Sequence, residues 1–239
     1  MEEDSENTPD YMSTVASKVP VTAKHKIRSD LDEKIPKPYL ARALVCPDIE
    51  HPKGNLPVRS SELTVLHQHA AFFDQDGDGI IYPWETYTAL CAVGANRIVA
   101  FLGCIVINTV FSYPSLPGWL PSPLFPIYIK NIHRTLHGSD TGTFDHEGRF
   151  VPANFENMFT KYAHTEPDKF TLVELWKMVT GNRDVYDLVG RIANLLEWGF
   201  LFYIASDENW MLNKEDMRNC YDGSLFKQLA RKTQERKKL

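Results

Sequence analysis

Asp74-Gln75-Asp76-Gly77-Asp78-Gly79-Ile80-Ile81-Tyr82-Pro83-Trp84-Glu85 follows D-x-D-x-D-G-x5-E over all twelve of its positions. The spacing suits a hard divalent cation that gathers oxygen atoms, and calcium in particular. Asp74, Asp76 and Asp78 supply carboxylates, Ile80 a backbone carbonyl, and Glu85 two oxygens from one side chain. Gly79 makes the sharp turn, and Ile81 is the aliphatic residue expected beside it. Tyr82 replaces the small polar residue that ordinarily positions a water, which leaves the affinity open.

Such a loop joins two helices, and the flanks read that way. Between residues 61 and 73, Leu63, Leu66, Ala70 and Phe73 recur at steps of three and four, the spacing of one helix face. Pro83 suits the first turn of the following helix. The fold expected is mainly α, built on an EF-hand-type helix-loop-helix scaffold.

Beyond the loop, apolar character builds from Ala89 to Phe111 and is densest over residues 98–111, including Ile98, Phe101, Leu102 and Ile105. As a helix that dense run rises about 21 Å, short of a hydrocarbon core about 30 Å thick. Extending it back to Ala89 places Asn96 and Arg97 inside, at a cost of about 2.5–3.5 kcal/mol for the arginine alone. Pro114, Pro117, Pro121, Pro123 and Pro126 follow within thirteen residues, with Trp119 among them, so a regular helix cannot continue. A re-entrant or interfacial segment with a proline knot is the preferred reading, and Tyr113 and Trp119 favour a membrane–water boundary. A buried core helix followed by a proline-rich loop is the other reading.

The formal charge of −5 gives no footprint for nucleic acid. Cys46, Cys91, Cys104 and Cys220 form no CxxC pair and read as reduced thiols, and residues 1–10 show no secretory signal. The chain divides into a loosely ordered arm with scattered prolines (1–60), the calcium-binding unit (61–97), the apolar segment with its proline knot (98–126), a helical region (127–226) and a basic tail (227–239). The tail is a solvated helix end or a contact with anionic lipid.

Because EF-hands come in pairs, weaker copies are expected. Residues 143–154 carry Asp145, Glu147, Gly148, Phe150 and Asn154 at loop offsets. Residues 163–174 carry Phe170 and Glu174, and residues 205–216 carry Asp207, Asn209, Leu212 and Asp216. All three lack an acidic first ligand, so the expectation is one live site, with the apolar segment inserted between the first two loops. The last two echoes are equally compatible with chance punctuation between helices.

Among the eight histidines, His69 lies on the apolar stripe of Leu66 and Phe73, while His67 points away. Phe125, Ile129, Ile132, His133 and Leu136 are expected on one face of a helix ending at Gly138, with His137 a turn beyond His133. Such histidines are more often hydrogen-bonded core residues than ligands. There is no CxxCH for covalent haem attachment, and an HxxxH pair alone does not make a zinc site.

Residues 72–87 (FFDQDGDGIIYPWETY), the knot LPGWLPSPLFP at 116–126, IYIKNIH at 127–133 and HGSD at 137–140 together resemble the caleosin family of plants and fungi, also called plant peroxygenases. EGRFVP (147–152), GNRD (181–184), EWG (197–199) and CYDGSLF (220–226) add to the resemblance, which covers roughly residues 60–230. It implies a calcium- and haem b-binding peroxygenase of the lipid droplet surface and the endoplasmic reticulum membrane, most of the chain facing the cytoplasm. The implied substrates are fatty acid hydroperoxides as oxygen donors and unsaturated fatty acids as acceptors. The implied lipid partner is a phospholipid monolayer or bilayer. By motif position His69, His133 and His137 match histidines tied to haem and catalysis, with His69 the axial candidate. The alternative is a non-catalytic, calcium-responsive coat or tether, and self-association is left open.

Overall fold

The computed structural model describes residues 13–55 and 62–238, and the chain is mainly helical. Residues 1–12, Pro57 and Ser61 lie outside the described part. Four helix–loop units follow one another and associate in two pairs. The first runs from α3 (Val65–Ala71) through the acidic loop and strand β1 (Ile80–Ile81) into α4 (Pro83–Ala92). The second runs from α5 (Arg97–Ser115) through the proline-rich stretch and β2 (Ile127–Tyr128) into a 3-10 helix, Ile129–Thr135. The third comprises α6 (Pro152–Tyr162), β3 (Lys169–Thr171) and α7 (Leu172–Gly181). The fourth comprises α8 (Leu188–Ala205), β4 (Met211–Asn213) and α9 (Lys214–Tyr221). Short antiparallel strands close each pair, with Ile81 opposite Ile127 and Phe170 opposite Leu212.

This pairing corrects two expectations. The partner of the acidic loop is the proline-rich stretch, not residues 143–154, and the apolar segment is no insertion: as α5 it is the entering helix of the second unit. Residues 143–154 instead form a tight turn, bridged Phe144 to Phe150, in which Arg149 neutralises Asp145 at 2.5 Å and Glu147 at 2.6 Å. Gly148, at φ +79, sits so close to α3 that a Cβ would lie 2.8 Å from that of Leu66.

Local chemistry sets the ends of α5. Gly94 adopts φ +107 after α4, and Asn96 caps α5 by accepting from the backbone N–H groups of Ile98 and Val99. Arg97 is therefore the first helical residue rather than a charge in the middle of an apolar helix. Pro114 is accommodated in the last turn, so the helix reaches Ser115. Past the knot, the one-faced helix expected from Phe125 to Leu136 is replaced by β2 and the 3-10 helix. The Ile129 N–H is drawn to the Gly79 carbonyl at 3.0 Å, and Phe125 and Leu136 fall outside the helical turns.

The arm is not loose where it is described. After α1 (Pro20–Lys24) and α2 (Leu31–Lys34) it packs on the second pair, burying Leu31, Ile35, Cys46 and Asp48. Arg42 bridges to Phe150, Asp48 pairs with the buried Arg218 at 3.1 Å, and buried Glu156 accepts from the Ile49 N–H while pairing with Lys214 at 3.0 Å. Behind these ion pairs lies the main core, an aromatic cluster of Phe150, Phe155, Phe159, Phe170 and Tyr221. The tail forms α10 (Ser224–Arg236), which buries Leu225 and Phe226 and leaves its basic residues exposed.

Candidate metal loop, histidines and lipid-facing helix

In the acidic loop each aspartate is aimed by the backbone. Asp74 accepts from the N–H groups of Gly77 (2.8 Å) and Gly79 (2.9 Å), Asp76 from that of Asp78, and Asp78 from that of Ile80. Gly77 at φ +76 and Gly79 at φ +85 provide the left-handed turns. The outcome is three carboxylate oxygens within 4.8 Å of one another, a repulsive cluster that a small hard cation would neutralise. Glu85 is buried and staples both ends of the loop, accepting from Gln75 N–H at 3.0 Å and Tyr82 N–H at 2.9 Å. Ile80 opens β1, and the Tyr82 ring stacks on Trp84 with centroids 4.5 Å apart. An all-oxygen donor set of this kind fits calcium.

The other loops keep the frame and lose the donors. In residues 163–174 the carboxylate of Glu174 accepts from the N–H groups of His164, Thr165 and Thr171 and from both threonine hydroxyls, repeating the Glu85 staple. Burial alone would raise this carboxyl, but the bonds from Thr171, Thr165 and His164 outweigh it and hold it at about 2. Ala163 and Pro167 stand where side-chain oxygens would be needed. In residues 205–216, Asp207 accepts from Asn209 and Met211 N–H groups and faces the Lys169 ammonium at 3.5 Å, so a lysine already supplies the positive charge. The proline-rich loop, residues 120–131, has no carboxylate, and Asn131 donates to the Ser115 carbonyl.

The three histidines do not converge. His69 Nδ1 lies 2.7 Å from the Cys220 carbonyl oxygen. A carbonyl only accepts, so Nδ1 carries the hydrogen and Nε2 keeps its lone pair. Burial lowers the pKa of the ring, which packs against Phe226 and Phe73. A neutral imidazole oriented through its second nitrogen is the form that ligates iron, so the donor chemistry of His69 suits iron, while its ring is packed between Phe73 and Phe226. His133 instead faces His67, ring centroids 6.0 Å apart, and His67 is in turn 2.6 Å from Thr64 Oγ1. His137 points to α8, 3.6 Å from Asp187 and 4.0 Å from Glu197. Neither the groove between α7 and α8 nor the pocket at Val21, His25 and Tyr162 is lined by any of the three.

Around His137 stand carboxylates that sequence reasoning missed, Asp187 at 3.6 Å and Glu197 at 4.0 Å. Desolvation first and Asp140 second push the Glu197 carboxyl up, although about half of its side chain is accessible to solvent. Burial also raises Asp140 and the Cys220 thiol, the latter with a contribution from Glu197. Cys220 thus feels the Glu197 carboxyl while its carbonyl holds His69. Asp140, Glu197 and Cys220 come from HGSD, EWG and CYDGSLF, familiar stretches whose spatial convergence no spacing rule announces.

α5 is polarised in the opposite sense to an ordinary surface helix. Ala100, Cys104, Asn108, Ser112 and Ser115 face inward, while Ile98, Phe101, Leu102, Ile105 and Tyr113 are exposed, Ile98 by 73%. Asn108 Nδ2 donates to the carbonyls of Phe125 at 3.0 Å and of Ile81 at 3.3 Å, tying the helix to the acidic loop's strand. Pro117, Trp119, Pro121 and Pro123 are exposed, Trp119 by 94%. Pro126, expected at the membrane, is buried instead, because it precedes Ile127 in the strand that pairs with β1. α5 and α8 are both long and apolar enough to cross a membrane, and they are compatible with membrane association.

A family profile described as "Caleosin related protein" matches residues 61–230. The chain belongs to the caleosin family. This caleosin is 46% identical over 226 residues to a protein of Lilium longiflorum named "Peroxygenase", covering 95% of each chain. It is 42% identical over 166 residues to "Probable peroxygenase 4" of Arabidopsis thaliana, covering 70% of this chain and 85% of the relative. It is 34% identical over 141 residues to a "Probable inactive peroxygenase-like protein" of the same plant, covering 59% and 67%. No solved structure matches significantly.

Proposed function

We propose that this caleosin is a calcium-binding, haem-dependent peroxygenase held at a lipid surface by α5 and the proline knot, on an EF-hand scaffold in which only the first of four loops binds metal. The observation that carries the reading is His69, whose Nδ1–H is committed to the Cys220 carbonyl and whose Nε2 is left as a donor to iron. Similarity to a relative named "Peroxygenase" over nearly the whole chain supports the activity. When bound, haem supplies the oxygen-transfer chemistry: one oxygen leaves a fatty acid hydroperoxide, which becomes the alcohol, and is added to the double bond of an unsaturated fatty acid as an epoxide.

The residues of the chain contribute position and protons. His69 would hold the iron, its ring packed against Phe73 and Phe226. Glu197, its carboxyl raised by desolvation and Asp140, stands 4.0 Å from His137 and is the proposed proton carrier. Asp74, Asp76, Asp78, Glu85 and the Ile80 carbonyl would take calcium, and the Asn108 bond to Ile81 would couple the loop to α5. The proposed location is the lipid droplet and the cytoplasmic face of the endoplasmic reticulum.

The test is the absorption spectrum of full-length protein expressed with added haem. A Soret band that His69→Ala abolishes, along with hydroperoxide-dependent epoxidation, supports the reading. A second reading, a calcium-responsive coat without chemistry, draws on the dispersal of His133 and His137 and on the relative named "inactive". Absence of a Soret band in the wild type would establish it instead.

A further inference from the structure

The exposed apolar surface does not end with α5. Between α7 and α8 runs a groove of about 350 Å³ lined by Leu172, Val173, Trp176, Leu195, Trp198 and Gly199. Along the outer side of α8, Leu188, Val189, Ile192 and Leu196 continue it, at exposures of 63%, 65%, 53% and 46%. Only 33% of the apolar window of α8 is buried, although the helix is long and apolar enough to belong in a membrane. Soluble monomers rarely leave so large an apolar patch in water.

We propose that the α7–α8 face is a second lipid-contact surface, receiving acyl chains of the same membrane or droplet surface that α5 meets. This rests on the reading of α5 as lipid-facing, and three observations select lipid as the occupant. The groove has no hydrogen-bonding side chain other than the tryptophan indoles, whereas a protein partner of this size would ordinarily be matched by polar pairs. Lys177, Arg183 and Arg191 are exposed on the same two helices and their connection, and among the described residues none joins a salt bridge, which suits phosphate headgroups. Tyr186 and Trp210, 98% and 72% exposed, supply the aromatic residues that favour a membrane–water boundary. The surface is also continuous with the first: the Tyr203 hydroxyl on α8 accepts at 3.4 Å from Asn96, the residue that caps α5, and Phe200 packs on the Leu90–Ala95–Ala100 cluster at the start of α5.

The experiment uses full-length protein on phosphatidylcholine/phosphatidylserine vesicles doped with phospholipid brominated along the acyl chain, which quenches tryptophan on contact. In Trp119→Phe the remaining tryptophan fluorescence should still be quenched, and the further change Trp176→Phe should remove most of that quenching. Val173→Glu/Ile192→Glu, at exposed positions with helicity checked by circular dichroism, should bind vesicles about tenfold more weakly. Quenching in the wild type that vanishes in Trp119→Phe would overturn the proposal while leaving α5 at the lipid. No quenching in the wild type would overturn both readings. Dimers in light scattering without lipid, dispersed by Ile192→Glu, would assign the face to a second copy of the chain and also overturn it.

Discussion

Replacing Glu174 by glutamine tests whether the frame of the third loop is held by charge rather than by metal. The carboxylate accepts five hydrogen bonds between 2.8 and 3.0 Å and is held at about 2, against 4.5 unperturbed. A shift of that size corresponds to at most about 3 kcal/mol of stability. The folded-state value lies below the unfolded one, so the contribution is present above about pH 4.5 and is lost as pH falls toward 2. Urea denaturation of Glu174→Gln at pH 7 should therefore show a loss approaching 3 kcal/mol at unchanged m-value, shrinking to roughly 1.5 kcal/mol at pH 3. Because Ala163 offers no first ligand, the pH 7 difference should be the same with calcium and with chelator. A difference independent of pH would show that the carboxylate is not the stabilising species, and one that depends on calcium would show that the third loop binds metal.

Glu85→Ala should remove the single calcium event seen by titration calorimetry and the calcium-dependent rise in melting temperature, and lower oxygen transfer with them. Unchanged haem occupancy and turnover in that variant would confine the loop to membrane association or stability. Asp48→Ala leaves the Arg218 guanidinium without its carboxylate in a buried setting, so chemical denaturation should report a loss of about 3–5 kcal/mol and limited proteolysis should cut the arm sooner. Gly148→Ala must place a Cβ at φ +79 and 2.8 Å from Leu66, and a loss of about 2–4 kcal/mol is expected from strain and overpacking combined. A near-neutral result there would mean that α3 can shift away from the turn at little cost.

The acidic loop was legible because its pattern is a local code: spacing alone brings the carboxylates of Asp74, Asp76 and Asp78 together. At 163–174 and 205–216, stretches equally readable as chance punctuation, Phe170 and Leu212 do stand opposite each other in paired strands. The acidic loop's actual partner was not legible, because residues 120–131 keep only Ile127 at the pairing position and are otherwise prolines and apolar residues without a carboxylate. The arm misled for another reason. Its prolines erase periodicity, and the ion pairs Asp48–Arg218 and Glu156–Lys214, with the Glu156 bond to Ile49, join residues far apart in sequence. His69 was placed correctly on an apolar stripe, but helical phase could not reveal that His133 would face His67. Glu197 carried no sign of its raised carboxyl, since Asp140 lies far from it in sequence. α8 was overlooked because its outward and inward faces are both apolar, which blurs the amphipathic pattern that marks a surface helix.

The inward face of α5 sets how deep the protein can go. To leave the body and cross a bilayer, the helix would have to take the Asn108 amide from the Ile81 and Phe125 carbonyls into hydrocarbon, stripping polar groups on both sides. A helix lying in the surface keeps those bonds and immerses only its outer half, to a depth of about 5–10 Å. Attachment of that kind asks for a single leaflet and no opposite aqueous face, translocates no residue, and can be undone without unfolding anything. On the proposal that α5 meets lipid, the same molecule could pass between a two-leaflet membrane and a one-leaflet oil surface with its acidic loop still braced against that helix.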